Sequence, residues 1–221
     1  MNKRKVENGS QNRFDFWESW TEISPLEQRA IEALIKARKM LVEAVGKENL
    51  VVAYVKGSFV RREMNSDSDV DLVPIVTETI YEKAAWRLNI PELLPVLTVP
   101  LSLEELKANE LATKSDRAYD FRAKPDRFLR FIHHYQLIYG KPLTVDVFPM
   151  RNDKTVLAEE QETLKAMLQF YKRGEIDLQT MLKEYFWTIE TEMLIKGEQV
   201  VHSFKGIDDS SKTPTIWFIP P

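Results

Sequence analysis

The chain has no cysteine among its 221 residues, so disulfides and thiolate metal sites are excluded. It has no excess of positive charge. Lys and Arg total 31 against 34 Asp and Glu, a formal net charge of −3, and a general nucleic-acid binder is therefore not expected. No apolar run approaches the roughly 20 residues that a membrane-spanning helix needs. The opening MNKRKVENGSQNRF lacks the apolar stretch of a signal peptide. These absences make a soluble, cytoplasmic protein with no membrane partner the expectation. Glycine is scarce, with only seven in the chain. Gly46, Gly140, Gly174 and Gly197 each follow a helical pattern, the usual place for a terminating glycine. Gly57 differs, because it directly follows an apolar run.

Hydrophobic residues make up 43% of the chain, enough for a sizeable core. Phe14, Phe16, Trp17 and Trp20 lie in an irregular leading segment from which they can pack onto the body. Ser24-Pro25 then opens a helical pattern through Ile31, Leu34, Ile35, Ala37, Met40, Leu41 and Val45, ending at Gly46. Residues 50–56 read as a strand buried on both faces, and 70–76 as a second. Thr79 with Glu82 has the form of a capping box opening a helix near 80–88, and Ser102 with Glu105 another for a short helix. PVLTVPL at 95–101 reads as a third strand whose prolines favour an edge. Residues 110–124 read as a loop. Pro125 starts a helix that runs through Leu137 to Gly140, and LTVDVF at 143–148 alternates as a fourth strand. Two long helices follow, about 156–173 and 177–196, the second with an apolar stripe over 178–193 that reads as core or interface.

The most informative stretch is 50–77, LVVAYVKGSFVRREMNSDSDVDLVPIVT. Asp69 and Asp71 alternate with Val70, so on a strand they share a face, with Cβ atoms about 6.6 Å apart. Two negative charges at that distance repel by roughly 2.5 kcal/mol at an effective dielectric near 20. A hard divalent cation reverses the sign of that interaction. The turn at Gly57-Ser58 suits phosphate, because glycine allows close backbone approach and successive N–H groups form an anion nest. Lys56, Arg61 and Arg62 are candidate cations for further phosphate charge.

Strand, Gly57-Ser58, ten residues, Asp69-Val70-Asp71, strand: this order resembles the signature of the DNA polymerase beta-like nucleotidyltransferase superfamily, with its minimal and antibiotic-modifying members. The resemblance is strong over 50–77 and looser over 30–150. Small members usually carry Ala-Arg-Gly-Glu after the turn, where this chain has Val60-Arg61-Arg62-Glu63. The resemblance implies an α+β fold, with a small mixed β-sheet of palm-like type, accompanying helices and a C-terminal helical bundle. The implied domains are an extension at 1–24, a catalytic domain at 25–150 and a helical domain at 151–221. It further implies an enzyme that moves a nucleoside monophosphate, AMP from Mg·ATP in the first instance, onto a hydroxyl of a small molecule or protein. Asp69 and Asp71 would bind two Mg²⁺ or Mn²⁺ ions, and Gly57 and Ser58 the triphosphate.

A third carboxylate completes such sites on a neighbouring strand. Leu97, Thr98 and Val99 offer none, which leaves Asp146 in LTVDVF as the candidate ligand or base, with Glu63 and Glu104 as substitutes. The alternative reading is an antitoxin-like or regulatory nucleotide-binding partner with weak or no catalysis. There the C-terminal helices would contact a second copy or another protein. Basic and aromatic residues interleave over 114–141, a pattern that reads chiefly as an amphipathic helix. His133-His134, Asp208-Asp209 and the terminal IWFIPP carry no ligand set of their own.

Overall fold

The computed structural model describes residues 14–112 and 123–198 and divides into two compact units, Met1–Pro149 and Met150–Pro221. It is an α+β fold. The loop expected at 110–124, most of the basic-aromatic tract at its start, Asp208-Asp209 and IWFIPP lie largely or wholly outside the described residues.

The first unit is built on a mixed sheet. Strand β1 (Leu50–Lys56) pairs antiparallel with β2 (Val70–Val76) on one side and β5 (Gln136–Gly140) on the other. Strand β3 (Val96–Thr98) and the two-residue β4 (Leu101–Ser102) run parallel to β2 at its outer edge. The order is β3-β2-β1-β5. Both faces of β1 are covered, as its unbroken apolar run requires. Ala53, Val55, Val70 and Leu72 face a core that includes Leu34, Ala37 and Leu41 of helix α1 (Pro25–Val45). Val52, Tyr54, Val73 and Ile75 face Leu106, Phe128 and Leu129. Those three belong to α4 (Leu103–Ala108) and α5 (Pro125–Arg130).

Helix α1 starts as its sequence dictates. Ser24 Oγ accepts from the Glu27 N–H, and the Glu27 carboxylate accepts from the Ser24 N–H. The Ser102–Glu105 capping box also forms. The proposed Thr79–Glu82 box does not. The Thr79 N–H donates to Glu104 Oε2 at 2.9 Å and its hydroxyl meets Ser102 Oγ at 3.0 Å. A 3-10 turn (Thr79–Tyr81) followed by the short α3 (Glu82–Trp86) therefore replaces the single helix expected near 80–88.

The largest departure falls at 125–148. The helix stops at Arg130, a 3-10 turn (Ile132–His134) follows, and 136–140 becomes β5. The free edge of β1 supplies hydrogen-bond partners that a continued helix could not use, and tertiary pairing overrides the helical pattern. The strand expected at 143–148 is instead a 3-10 turn (Val145–Val147). Its approach is held by the Leu143 N–H, which donates to the buried Tyr54 hydroxyl at 2.9 Å.

The second unit contains α6 (Asp153–Lys172) and α7 (Leu178–Ile195), which pack on one another. Asn152 and Asp177 cap them through side-chain oxygens that accept from the Lys154 and Thr180 N–H groups. The apolar stripe of α7, read as core or interface, is divided. Met193 is buried, while Leu178, Leu182 and Tyr185 are exposed and Glu184 and Thr188 are buried instead. No helix among the described residues is long and apolar enough to cross a membrane.

Candidate functional site

The site forms where β1 ends and β2 begins. The hairpin register sets Lys56 opposite Asp71. Lys56 Nζ lies 3.4 Å from Asp71 Oδ2, with both side chains partly open to solvent. That carboxylate's charge raises the Lys56 ammonium above the ordinary lysine value, against the opposing effect of desolvation. Asp69 stands immediately before β2 and is exposed. Val70 between the two acids is fully buried, so the strand end is pinned by the core while the carboxylates remain outside it.

Gly57 follows Lys56 with φ +90° and ψ −162°. A Cβ there would stand 3.4 Å from Asp71 Oδ2, an ordinary contact, so conformation rather than crowding calls for glycine. The same measurement sets the turn directly against the carboxylate. Ser58 begins α2 (Ser58–Arg61), whose second residue, Phe59, is fully buried. Phe59 packs edge-on against Phe16 at 5.9 Å and Trp20 at 5.1 Å between ring centroids. The aromatic leading segment thus anchors the turn.

Arg62 closes α2 in the left-handed conformation, φ +60°. This is where small members of the resembled superfamily have glycine. Its guanidinium donates to both Glu27 carboxylate oxygens, at 2.8 and 3.1 Å, and to the Thr21 and Glu22 carbonyls at 2.9 and 3.0 Å. It also lies 4.9 Å over the Trp20 ring. The Arg62 hydrogen bond, ahead of the capping bonds, holds the Glu27 carboxyl down to about 2. Arg62, expected as a phosphate cation, is thereby committed to the scaffold. Arg61 donates to Glu63 at 2.8 Å at the surface.

The loop from the turn to Asp69 is shaped locally. Asn65 Oδ1 accepts from the Asp67 N–H and Ser68 Oγ accepts from the Asn65 N–H, an arrangement that redirects the chain into β2.

Asp146 requires correction. It is exposed on the 3-10 turn Val145–Val147 and sits on no strand. Among the described residues no three His, Asp or Glu side chains gather in a metal-sized group, so Asp146 does not complete a cluster with Asp69 and Asp71. The strand beside β2 carries Leu97 at the register of Asp71, and no acid. The substitutes fare no better. Glu63 pairs with Arg61, and the Thr79 N–H holds the Glu104 carboxyl below the usual carboxylate range, which weakens it as a base. His133 and His134 share a 3-10 turn, their ring centroids 4.0 Å apart.

What the sequence reading missed is the Lys56–Asp71 pair and the Glu27–Arg62 lock. The first was accessible from hairpin register. The second joins residues 35 positions apart, and the only sign of Glu27 in the sequence is its place three residues after a capping serine.

The donor set fits a hard divalent cation. Two neighbouring carboxylates, with waters and phosphate oxygens, are the customary ligands of Mg²⁺. The turn beside Asp71 leaves the backbone bare for close approach.

No protein-family model matches the chain, and no curated protein does. Two solved structures are similar to it. One is the spectinomycin adenyltransferase AAD(9) from Enterococcus faecialis with ATP and spectinomycin. It is 14% identical, with 77% of this chain and 78% of that chain covered and a TM-score of 0.46. The other is a candidate nucleotidyltransferase from Sulfolobus solfataricus. It is 24% identical over 35% of this chain and 77% of that one, with a TM-score of 0.24.

Proposed function

We propose that the protein is a nucleotidyltransferase that moves a nucleoside monophosphate from a nucleoside triphosphate onto a hydroxyl acceptor, with ATP the donor to test first. One observation carries this reading. The Gly57–Ser58 turn lies against Asp71, so an anion-binding backbone and a metal-binding carboxylate share one locus. Asp69 and Asp71 would hold Mg²⁺, which supplies charge stabilisation for the triphosphate. The N–H groups of the turn and the Ser58 hydroxyl bind and orient the β- and γ-phosphates. The acceptor oxygen then forms a bond to the α-phosphorus in line with the bond that breaks, to the α–β bridging oxygen. Pyrophosphate leaves with that electron pair, and the acceptor proton passes to water.

The test is release of labelled pyrophosphate from Mg·ATP with a panel of aminoglycoside, aminocyclitol and protein hydroxyl acceptors. Asp69→Asn and Asp71→Asn should each abolish release while the fold persists: neutralising one acid relieves repulsion when no metal is bound, and the Lys56 ammonium that Asp71→Asn releases is partly open to solvent. Full activity in either variant refutes the site.

Leu97 in place of a third acid favours a second reading, a regulatory protein that binds nucleotide without transferring it. The exposed Leu178, Leu182 and Tyr185 of α7 would then serve a protein partner. Mg²⁺-dependent nucleotide binding with no pyrophosphate released under any acceptor would select that reading.

A further inference from the structure

The Asp71 carboxylate has a cation on one side and an apolar residue on the other. Lys56 reaches Asp71 across the hairpin at 3.4 Å, and Leu97 occupies the Asp71 register on the next strand. We propose that this site works with a single divalent cation, and that the Lys56 ammonium takes the electrostatic place that a second cation on a third carboxylate would fill. The proposal rests on the nucleotidyltransferase reading of the same turn and replaces the two-ion expectation drawn from sequence.

The charge balance supports it. Two divalent ions held by three carboxylates leave a net charge of one positive unit facing the triphosphate. One divalent ion, two carboxylates and one ammonium leave the same, and the Arg127 guanidinium, close enough to act on Lys56, adds to the positive field. A second hard cation here would need oxygen ligands. Leu97 offers none, Asp146 stands on an exposed turn, and the described residues contain no cluster of three acids. Such an ion would also have to share Asp71 with an ammonium 3.4 Å away. Lys56 is suited to the role. Its next neighbour in the chain is Gly57 of the phosphate turn, and an ammonium on a flexible stem can turn its three donors from carboxylate to phosphate without a fixed geometry.

The experiment counts metal. The full chain is titrated with Mn²⁺ in the presence of saturating α,β-methylene ATP, with free Mn²⁺ followed by electron paramagnetic resonance and corrected for Mn²⁺ on unbound nucleotide. One Mn²⁺ per nucleotide-loaded chain is the expected result. Lys56→Gln, with its fold checked by circular dichroism, should lose about tenfold or more in analogue affinity, as for a lost charge-assisted contact. Lys56→Arg should recover most of it. Two Mn²⁺ per loaded chain overturns the proposal and leaves the transferase reading standing. No Mn²⁺-dependent nucleotide binding overturns both. One Mn²⁺ with undiminished affinity in Lys56→Gln overturns the part assigned to Lys56.

Discussion

Arg62 holds the carboxylate of Glu27, 35 residues earlier in the chain, through two hydrogen bonds of 2.8 and 3.1 Å. The pair ties the end of the short helix that follows Gly57 to the first turn of α1. Glu27 already caps that helix through the Ser24 N–H, so one buried carboxylate serves a helix terminus and a guanidinium together. Arg62 adopts a left-handed backbone to reach it, a conformation that costs an L-residue about 1–2 kcal/mol and glycine almost nothing.

Two substitutions at position 62 separate these effects. Arg62→Ala should lower the urea midpoint, because it keeps the left-handed strain and leaves Glu27 without its guanidinium. Arg62→Gly removes the same partner and relieves the strain, so its midpoint should fall less. Since Arg62 is assigned to the scaffold, nucleotide affinity should change little in whichever fraction remains folded. Equal midpoints, or a lower one for Arg62→Gly, would refute the account of the backbone.

Acid stability should report Glu27. Its carboxyl is held down to about 2 in the fold, against 4.5 for an ordinary glutamate. The unfolded chain therefore binds more protons between those values, and stability rises with pH through that window. The contribution is fully present above about 4.5 and is lost as pH falls toward about 2. Glu27→Gln cannot titrate. Its unfolding free energy, measured by urea titration from pH 5 to pH 2.5, should be lower at pH 5 and flatter across the range. A wild-type slope retained in Glu27→Gln would assign the acid limb to other carboxylates.

The hairpin that makes the site was legible because its signals are local. An apolar run stops at Gly57, a polar loop follows, and Val70 alternates with two acids. The Ser102–Glu105 cap was legible for the same reason, being a contact across three residues, and Ser24-Pro25 marked the start of α1. What escaped depends on sequence-distant partners. Phe128, Leu129, Ile132, Tyr135 and Leu137 read as a helical pattern, and only the open edge of β1 makes 136–140 a strand. Asp146 satisfied a strand period between two valines, yet the chain there folds as a 3-10 turn that joins no strand of the sheet. Thr79 had the chemistry of a cap, but Glu104 and Ser102 took its hydrogen bonds.

Gly57→Ala tests the phosphate role proposed for the turn. At φ +90° and ψ −162°, a region open essentially to glycine alone, an alanine either keeps the turn, losing about 1–3 kcal/mol of stability, or relaxes it and moves the Ser58 N–H. Where the turn is kept, the Cβ stands 3.4 Å from Asp71 Oδ2. Affinity for Mg·ATP should fall about tenfold, the equivalent of 1.4 kcal/mol. Gly174→Ala is the control. It also has a positive φ, +72°, with nothing within 4 Å, so it should lose stability alone. Isothermal titration of both variants decides, and an unaltered affinity in Gly57→Ala would remove the turn from the site.

Leu97→Asp asks what a third acid would do. Leu97 is 36% exposed and aligned with Asp71 on the parallel strand, so the new carboxylate enters beside an existing one without opening the core. Adjacent strands lie about 4.8 Å apart, where two like charges repel by about 1 kcal/mol in water and about 3 kcal/mol at an effective dielectric near 20. In EDTA the variant should therefore melt below the wild type. Added Mn²⁺ should raise its midpoint more than that of the wild type, because the cation now gains a third oxygen donor. The Lys56–Asp71 pair sharpens the expectation, since the ammonium on the far side of β2 offsets part of the repulsion and Lys56→Gln in the same background should deepen the loss in EDTA. Melting followed by circular dichroism with and without Mn²⁺ measures both effects. A Leu97→Asp midpoint indifferent to metal would mean that position 97 does not face the carboxylates, and the register argument for a single cation would lose its footing.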